Sequence, residues 1–160
     1  MTEEIERKFL VDANKLPELS NPKKIKQGYL VIDPQVRVRI VDDQKAYITL
    51  KFPSDIAEIV RKEFEYEIPL EEGKELYKQC KATLEKARYN LDIEGKTWEI
   101  DVLEGRNKGL VVAEIVLNNI TEEFEAPEFI VEEVSLDMLY TNVSLATYPF
   151  QDWHYYAVKR

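Results

Sequence analysis

Cationic side chains recur two residues apart at several places in this sequence. Arg37 and Arg39 are separated by one residue, and so are Lys86 and Arg88. In a β-strand, residues two apart project from the same face. Arginines hold phosphate oxygens through bidentate, charge-assisted hydrogen bonds, and lysines act as point charges. The spacing therefore indicates faces that bind a phosphorylated anion.

Carboxylates recur at the same spacing, so they also share strand faces. Two of them, Glu63 and Glu65, follow Arg61 on one such face. Carboxylate oxygens are the ligands that hard divalent cations prefer. A face with both kinds of charge suits a polyanion bound together with a metal ion, because each supplies counterions for the other. The remaining carboxylate pairs at this spacing are Glu4 with Glu6 and Glu99 with Asp101.

Composition and charge restrict the function classes. The chain has 160 residues, 44% of them hydrophobic, which suits one folded domain. A formal net charge of −9 argues against nucleic acid as a partner, because that binding needs a basic surface. The apolar runs are too short to cross a bilayer, and Met1–Phe9 is too charged for a secretion signal. A single cysteine, Cys80, is typical of the reducing cytoplasm.

The elements that must position these charges are mainly strands. Alternation of charged and apolar side chains predicts eight of them, separated by turn signals such as Glu94-Gly95. Eight strands with short connections favour a barrel or a curled sheet. Helical patterns are fewer and cover Pro69–Leu84, a short stretch at Thr121–Phe124 and an irregular stretch at Met138–Thr147. The predicted strands are Glu4–Val11, Lys26–Ile32, Val36–Val41, Ala46–Phe52, Val60–Ile68, Glu85–Ile93, Lys96–Leu103 and Leu110–Leu117.

Alternation alone leaves open which face of the strands is inside. An ordinary half-buried sheet would place the apolar residues inside and the charges in water. Two features favour the reverse arrangement, in which the charged faces enclose a tunnel. These faces contain few neutral polar residues, and their cations come from several different strands. The cations that would line such a tunnel are Arg37, Arg39, Lys51, Arg61, Lys86 and Arg88.

Glu4-Ile5-Glu6-Arg7-Lys8 resembles the ExExK signature of the CYTH family, also called triphosphate tunnel metalloenzymes. The signature alone is a weak pattern, since charged strands produce it by chance. Its specificity comes from similar motifs that follow in order, so that the resemblance covers Thr2 to about Trp153. On these motifs the sequence is identified as a member of the family. The further motifs are Gln27–Leu30, Val36–Ile40, Ile48–Lys51, Arg61–Ile68, Glu85–Tyr89, Trp98–Asp101 and Leu110–Glu114.

The resemblance implies one CYTH domain over residues 1–160, of the mainly β, α+β class. It would form an eight-stranded antiparallel β-barrel with a charged interior and a few helices packed outside. The ligand implied is a small-molecule triphosphate, with Mg²⁺ or Mn²⁺ as cofactor. The metal ligands would be Glu4, Glu6 and Glu114, and the catalytic residues Lys8 and Glu114. Substrate binding would involve Lys8, Arg37, Arg39, Lys51, Arg61, Lys86 and Arg88, supported by the tunnel carboxylates Glu63, Glu65, Glu99 and Asp101.

Short bacterial members with this pattern resemble inorganic triphosphatases, which hydrolyse tripolyphosphate. Adenylate cyclases and thiamine triphosphatases of the family need further contacts for a base or a thiazole ring, and no clear segment of this sequence supplies them. Activity of either type is the third function that the sequence leaves open. The implied reaction is metal-assisted, in-line attack of water on the terminal phosphorus. The assembly implied is a monomer or a homodimer.

Two departures from the family pattern leave a second function open. Family members usually carry another glutamate two residues after the position of Glu114, where this sequence has Val116. A C-terminal segment that usually contributes a lysine and an arginine has Glu132 and Leu139 instead. Each loss would weaken metal binding or the grip on phosphate. The alternative is a catalytically impaired module that binds a triphosphate or nucleotide without turnover.

Overall fold

The computed structural model describes the backbone of residues 2–53 and 60–153, and the side chains of residues 5–52 and 62–153. Within these ranges the chain forms strands, two α-helices and four short 3-10 turns. The helices are α1 (Leu70–Gln79) and α2 (Asn142–Thr147). The strands are β1 (Thr2–Val11), β2 (Lys23–Val31), β3 (Gln35–Val41), β4 (Lys45–Pro53), β5 (Val60–Ile68), β6 (Ala82–Ile93), β7 (Lys96–Leu103), β8 (Val111–Leu117) and β9 (Ile130–Glu133).

The strands form one antiparallel sheet in the order β5-β4-β3-β2-β6-β7-β8-β1-β9. β1 additionally pairs with β5, which brings Glu4 opposite Arg61. A mainly β, antiparallel fold is thus confirmed, and each of the eight predicted strands is present. The described residues contain nine strands rather than eight. The additional strand, β9, pairs with the end of β1 on the edge away from β8. Four residues are too few to show the alternation by which the other strands were predicted.

The apolar face of β1, β7 and β8 is buried beneath loops. Phe9 and Trp98 pack edge to face, with ring centroids 5.6 Å apart, and Phe124 and Phe129 from the connection between β8 and β9 cover them. Burial of aromatic rings of this size supplies much of the stability of a small domain. The charged face of these strands therefore lies on the opposite side of the sheet. The buried members of this outer cluster are Ile5, Phe9, Trp98, Ile100, Ala113, Ile115, Leu117 and Phe129.

Helix α1 covers the outer face of β2, β3 and β4. A Cβ atom on Gly73 would lie 2.3 Å from the Cβ of Ala46, so only glycine permits this approach of helix and strand. The helix ends at Gln79, and the predicted helical end at Leu84 is wrong. Leu84 is a buried residue of β6, whose apolar side chain fits both a helical and a strand pattern. Burial raises the pKa of the Cys80 thiol, which lies at the end of this helix.

A second apolar cluster fills one end of the face that carries the charges. Leu145 of α2 packs there, beneath the edge-to-face contact between Tyr140 and Trp153. The irregular helical stretch predicted for Met138–Thr147 is confirmed, since a 3-10 turn at Met138–Tyr140 precedes α2. None of the helices in the described residues is long and apolar enough to span a membrane. The buried members of this end cluster are Tyr29, Leu84, Leu103, Leu110, Val112 and Leu145.

The helix predicted at Thr121–Phe124 does not form. The acidic residues that would suit a helical first turn are used locally instead. Glu122 accepts a hydrogen bond from the backbone N–H of Asn118 at 2.7 Å and pairs with Lys96. Asn119 accepts hydrogen bonds from the backbone and hydroxyl of Thr121, at 3.0 and 2.8 Å. Side chains of this kind compete with helical backbone hydrogen bonds, and here they hold a turn.

Candidate functional site

The charged face of the sheet lines two adjoining cavities. The first has a volume of about 130 Å³ and the second about 180 Å³. They share the side chains of Glu6, Arg37, Lys51, Glu114 and Asn142. A third cavity, of about 290 Å³, continues from the second through two further shared residues. The charged faces thus line connected cavities.

Six of the seven cations predicted to bind substrate have described side chains, and all six line these cavities. They come from four strands, so the fold brings together residues that are far apart in sequence. The seventh, Arg61, has a described backbone in β5, but its side chain lies outside the described residues. Lys8 lines the first cavity. The second cavity is lined by Arg37, Arg39, Lys51, Lys86 and Arg88, and the first also by Arg37 and Lys51.

The predicted carboxylates divide into four groups. Glu6 and Glu114 line both cavities, whereas Glu63, Glu65 and Glu99 line the second. Asp101 is almost fully buried and lies behind the cations rather than in the cavity lining. The side chain of Glu4 lies outside the described residues, although its backbone pairs with Arg61 in register.

Asp101 fixes two of the cations. Its Oδ2 accepts from Lys86 Nζ at 2.8 Å, and its Oδ1 accepts from Arg88 Nε at 2.8 Å. Burial, reinforced by the positive charge of Arg88, lowers the pKa of Lys86 to about 8, against the opposing effect of Asp101. Burial favours the neutral form of Asp101, but Lys86 and Arg88 outweigh it and lower its pKa. Asp101 therefore holds both cations in place at the wall of the second cavity.

The two arginines of β3 have donors to spare. The Nε atoms of Arg37 and Arg39 are buried and have no hydrogen-bond partner among the described residues. Arg39 is held by an ion pair with Glu65, which also accepts from the hydroxyl of Thr49 at 3.4 Å. Buried N–H groups normally find a partner, so donors left over at a cavity indicate a place for an anion.

Glu6 and Glu114 line the same two cavities and are close enough to shift each other's pKa. Burial opposes ionisation of Glu6, but Lys51, whose Nζ lies 3.3 Å from Glu6 Oε1, and Glu114 outweigh it and lower the pKa of Glu6. Burial raises the pKa of Glu114, and the neighbouring Glu6 raises it further. Lys8 Nζ lies 3.6 Å from Glu114 Oε1. The pKa values of these two neighbouring carboxyl groups are therefore shifted in opposite directions.

The donor set at this pair is chemically suited to a divalent cation. Two adjacent carboxyl groups offer four oxygens, and a bound divalent ion would offset the repulsion between them. Among the described side chains, no group of three or more His, Cys, Asp or Glu lies close enough together to hold a metal. Glu6 and Glu114 are thus the described part of the predicted ligand set, and Glu4 is the part outside it.

The residues that depart from the family pattern occupy different places. Val116 lies opposite Glu6 in the β1–β8 pairing, is 51% exposed, and lines the second and third cavities. It therefore occupies cavity wall and not the apolar core. Glu132 is exposed on β9, and Leu139 lies in the 3-10 turn before α2. Neither of these two described residues lines the first or second cavity.

Several cavity residues were not predicted as site residues, among them Gln27, Tyr29 and Asn142. Gln27 and Tyr29 of β2 are buried, and Gln27 Nε2 donates to the Tyr29 hydroxyl at 2.9 Å. Strand parity could have found them, because they alternate with Gly28 in one of the motifs. Asn142 follows an irregular turn, so no periodic signal marks it.

The sequence model of the CYTH domain family matches residues 2–147, and the chain belongs to this family. A curated inorganic triphosphatase from Acetivibrio thermocellus is 40% identical over 157 residues, which cover 96% of this chain and 99% of that protein. A crystal structure of an inorganic triphosphatase is 29% identical, with a TM-score of 0.65, covering 89% of this chain and 96% of the other. A hypothetical protein from Pyrococcus furiosus is 26% identical, with a TM-score of 0.55, covering 78% of this chain and 82% of the other.

Proposed function

We propose that this protein hydrolyses inorganic triphosphate with the help of a divalent metal, Mg²⁺ or Mn²⁺. The observation that carries the proposal is the convergence of six cations and two neighbouring carboxyl groups, Glu6 and Glu114, on two adjoining cavities. The 40% identity to an inorganic triphosphatase over almost the whole chain supports the same reaction. The substrate is a small triphosphate. Nucleic acid and membranes are not proposed as partners, because the protein is acidic.

The pairing of β1 with β5 supports closure of the sheet. It connects the strand at one end of the sheet order to β1, which supports a ring of eight strands with β9 attached to β1. We infer a single domain built around an eight-stranded tunnel, acting in the cytoplasm as a monomer or homodimer. Closure stabilises the charged interior because no strand edge of the ring faces water.

The cations grip the phosphate chain. Arg37 and Arg39 donate their unused Nε–H groups to non-bridging oxygens, together with Lys51 from the neighbouring strand. Lys86 and Arg88 add two charges from β6, two strands from β3, and their shared carboxylate orients them in advance. Arg61, on the neighbouring strand β5, is the remaining cation proposed to bind substrate. Because the donors are fixed before the ligand arrives, little reorganisation opposes binding or the charge that develops during reaction.

Glu6 and Glu114, with Glu4, are the residues that would hold the metal. When bound, a divalent ion neutralises phosphate charge and lowers the pKa of a coordinated water. Lys8 is placed to contact both Glu114 and the terminal phosphoryl group, since it lines the first cavity beside that carboxyl. Lys8 and Glu114 are therefore the proposed catalytic residues, acting on in-line attack of water at the terminal phosphorus.

A second candidate function is triphosphate binding without turnover. The observation that favours it is Val116, which presents a hydrocarbon side chain to the cavity directly across from Glu6. A carboxylate at this place would add a metal ligand, so its absence weakens catalysis more than it weakens the grip on phosphate. The two candidates differ in turnover and agree in binding.

Phosphate release from tripolyphosphate separates them. We expect turnover with Mg²⁺ or Mn²⁺, its abolition by EDTA, and a loss of at least tenfold in kcat/KM for Lys51→Ala. The matched control is Lys78→Ala, because Lys78 is an exposed lysine on α1, paired only with Glu75 among the described residues. Tripolyphosphate should also raise the melting temperature of the wild type, since it binds the native state alone. A raised melting temperature without phosphate release would establish the binding module. If tripolyphosphate caused neither phosphate release nor a raised melting temperature, triphosphate binding would be refuted.

A further inference from the structure

One uncharged side chain stands among the charged residues that both cavities share. Of the five shared residues, Glu6, Arg37, Lys51 and Glu114 lie on strands of the sheet. The fifth, Asn142, is the first residue of α2 and is only partly exposed. It is therefore the one shared residue that reaches the cavities from outside the sheet.

The position of Asn142 is fixed from both sides. On the N-terminal side, Lys8 Nζ donates to the backbone carbonyl of Tyr140 at 2.8 Å, so a cation of the site holds the turn that leads into α2. Thr141 caps the helix, since its hydroxyl accepts from the backbone N–H of Ser144 at 3.2 Å and donates to the Met138 carbonyl at 2.8 Å. These contacts leave the first residue of the helix little freedom to move.

The other side of the helix is anchored in the end cluster. Leu145, one turn further on, is 1% exposed, and its backbone carbonyl accepts from Asn107 Nδ2 at 3.1 Å. Asn107 is itself buried and accepts from the backbone N–H of Phe150 at 2.8 Å. The short helix is thus held by packing and hydrogen bonds rather than by its own length, and it presents Asn142 to the junction of the cavities.

The amide of Asn142 is available to a ligand. No group among the described residues forms a hydrogen bond with this side chain. Its Nδ2 carries two N–H donors, and the cations around the junction make it a place where an anion gathers. The rest of the wall that this part of the chain contributes to the first cavity is also uncharged, consisting of Ser135, Thr141 and Val143.

We propose that Asn142 is a further substrate-binding residue, whose amide donates a hydrogen bond to the phosphoryl group held between the two cavities. The inference rests on the proposed function, because it takes a triphosphate as the ligand. A neutral donor adds affinity without adding charge. It holds the phosphate chain at a point where Glu6 and Glu114 must also accommodate a cation.

The test compares Asn142→Ala with Thr147→Ala in tripolyphosphate hydrolysis and in calorimetric titration with tripolyphosphate. Hydrogen bonds to charged groups are stronger than those between neutral groups, so we expect Asn142→Ala to raise KM and Kd by about tenfold or more. Thr147 is exposed at the other end of the same helix, and its substitution should change neither constant. Asn142→Asp, which places a negative charge at the same point, should weaken metal-free binding further than alanine does.

The outcomes separate the inference from the function on which it rests. Wild-type protein that neither hydrolyses nor binds tripolyphosphate refutes the proposed function. Wild-type protein that does either, with Asn142→Ala unchanged in KM and Kd, refutes the role of Asn142 alone. Melting temperatures are measured for every variant. If Asn142→Ala is unstable, Asn142→Ser is used in its place, since serine also suits the start of a helix and is too short to reach the ligand.

Discussion

Val116→Glu is the substitution that best tests whether the chain is an impaired enzyme. Val116 faces Glu6 across the β1–β8 pair, where side chains on one face lie about 5 Å apart, and it shares that face with Glu114. A glutamate there would add a third described carboxylate to the proposed metal site. If the missing ligand limits catalysis, metal-dependent turnover of tripolyphosphate should rise about tenfold, which corresponds to about 1.4 kcal/mol in the barrier.

The same geometry sets the effect on stability. Two carboxylates about 5 Å apart repel by about 3 kcal/mol at an effective dielectric constant of about 20. Val116 is 51% exposed, so solvent screening should reduce this cost to about 1 kcal/mol in metal-free buffer. Added Mg²⁺ or Mn²⁺ should restore the loss, because the metal neutralises the pair. Metal-dependent recovery of the melting temperature would thus report the new ligand independently of turnover.

The assay needs one control and has one refuting result. The control is Val116→Gln, because glutamine has the same length as glutamate and no charge. It should give neither the gain in turnover nor the metal-dependent gain in stability. Glu114→Ala should abolish turnover in either background. If Val116→Glu stays folded, still binds tripolyphosphate and shows no turnover, catalysis has to be abandoned in favour of the binding module.

Three further predictions concern burial and packing. Since burial lowers the pKa of Lys86 to about 8, its charge is present below that pH and lost above it; kcat/KM for tripolyphosphate should therefore fall above about pH 8, and Lys86→Arg should remove that step. Asp101→Asn leaves Lys86 and Arg88 without their shared carboxylate and should lower the free energy of unfolding, measured in urea, by about 3 to 5 kcal/mol. Glu99→Gln, at the more exposed end of the same strand face, should lower it by less. Gly73→Ala places a Cβ 2.3 Å from Ala46 and should cost about 1 to 3 kcal/mol in the same measurement, most of it recovered in the double variant with Ala46→Gly. An unchanged pH profile, or single variants as stable as the wild type, would contradict each in turn.

Strand parity predicted the fold and most of the candidate site because a strand has a strict two-residue period. Arg37 and Arg39 had to share a face, and so did Lys86 and Arg88, whatever lay between them in the sequence. Parity could not say which face was inside, and the family resemblance supplied that. It also carried no information on β9, whose four residues show no period, or on Asn142, which depends on a turn and a helix of six residues.

Helix boundaries were harder to predict for a different reason. The apolar residues near Cys80 fit a helical period and a strand period equally well over a few positions, so the pattern ran on to Leu84 although the helix ends at Gln79. At Thr121–Phe124, the acidic residues suited a helical first turn, but Lys96 on a distant strand captured Glu122. Tertiary contacts of this kind are absent from any local pattern.

Helix α2 has an evolutionary consequence, because one short segment contributes both to the apolar end cluster and to the cavity lining. Leu145 closes the end cluster, and Asn142, three residues earlier, faces the cavities. Drift in the apolar residues that seat Leu145 therefore moves the cavity wall as well, even when every charged residue of the sheet is unchanged. An exchange of residues 134–147 as a cassette would vary the ligand that the cavities accept while the strands, and with them the cations, stay as they are.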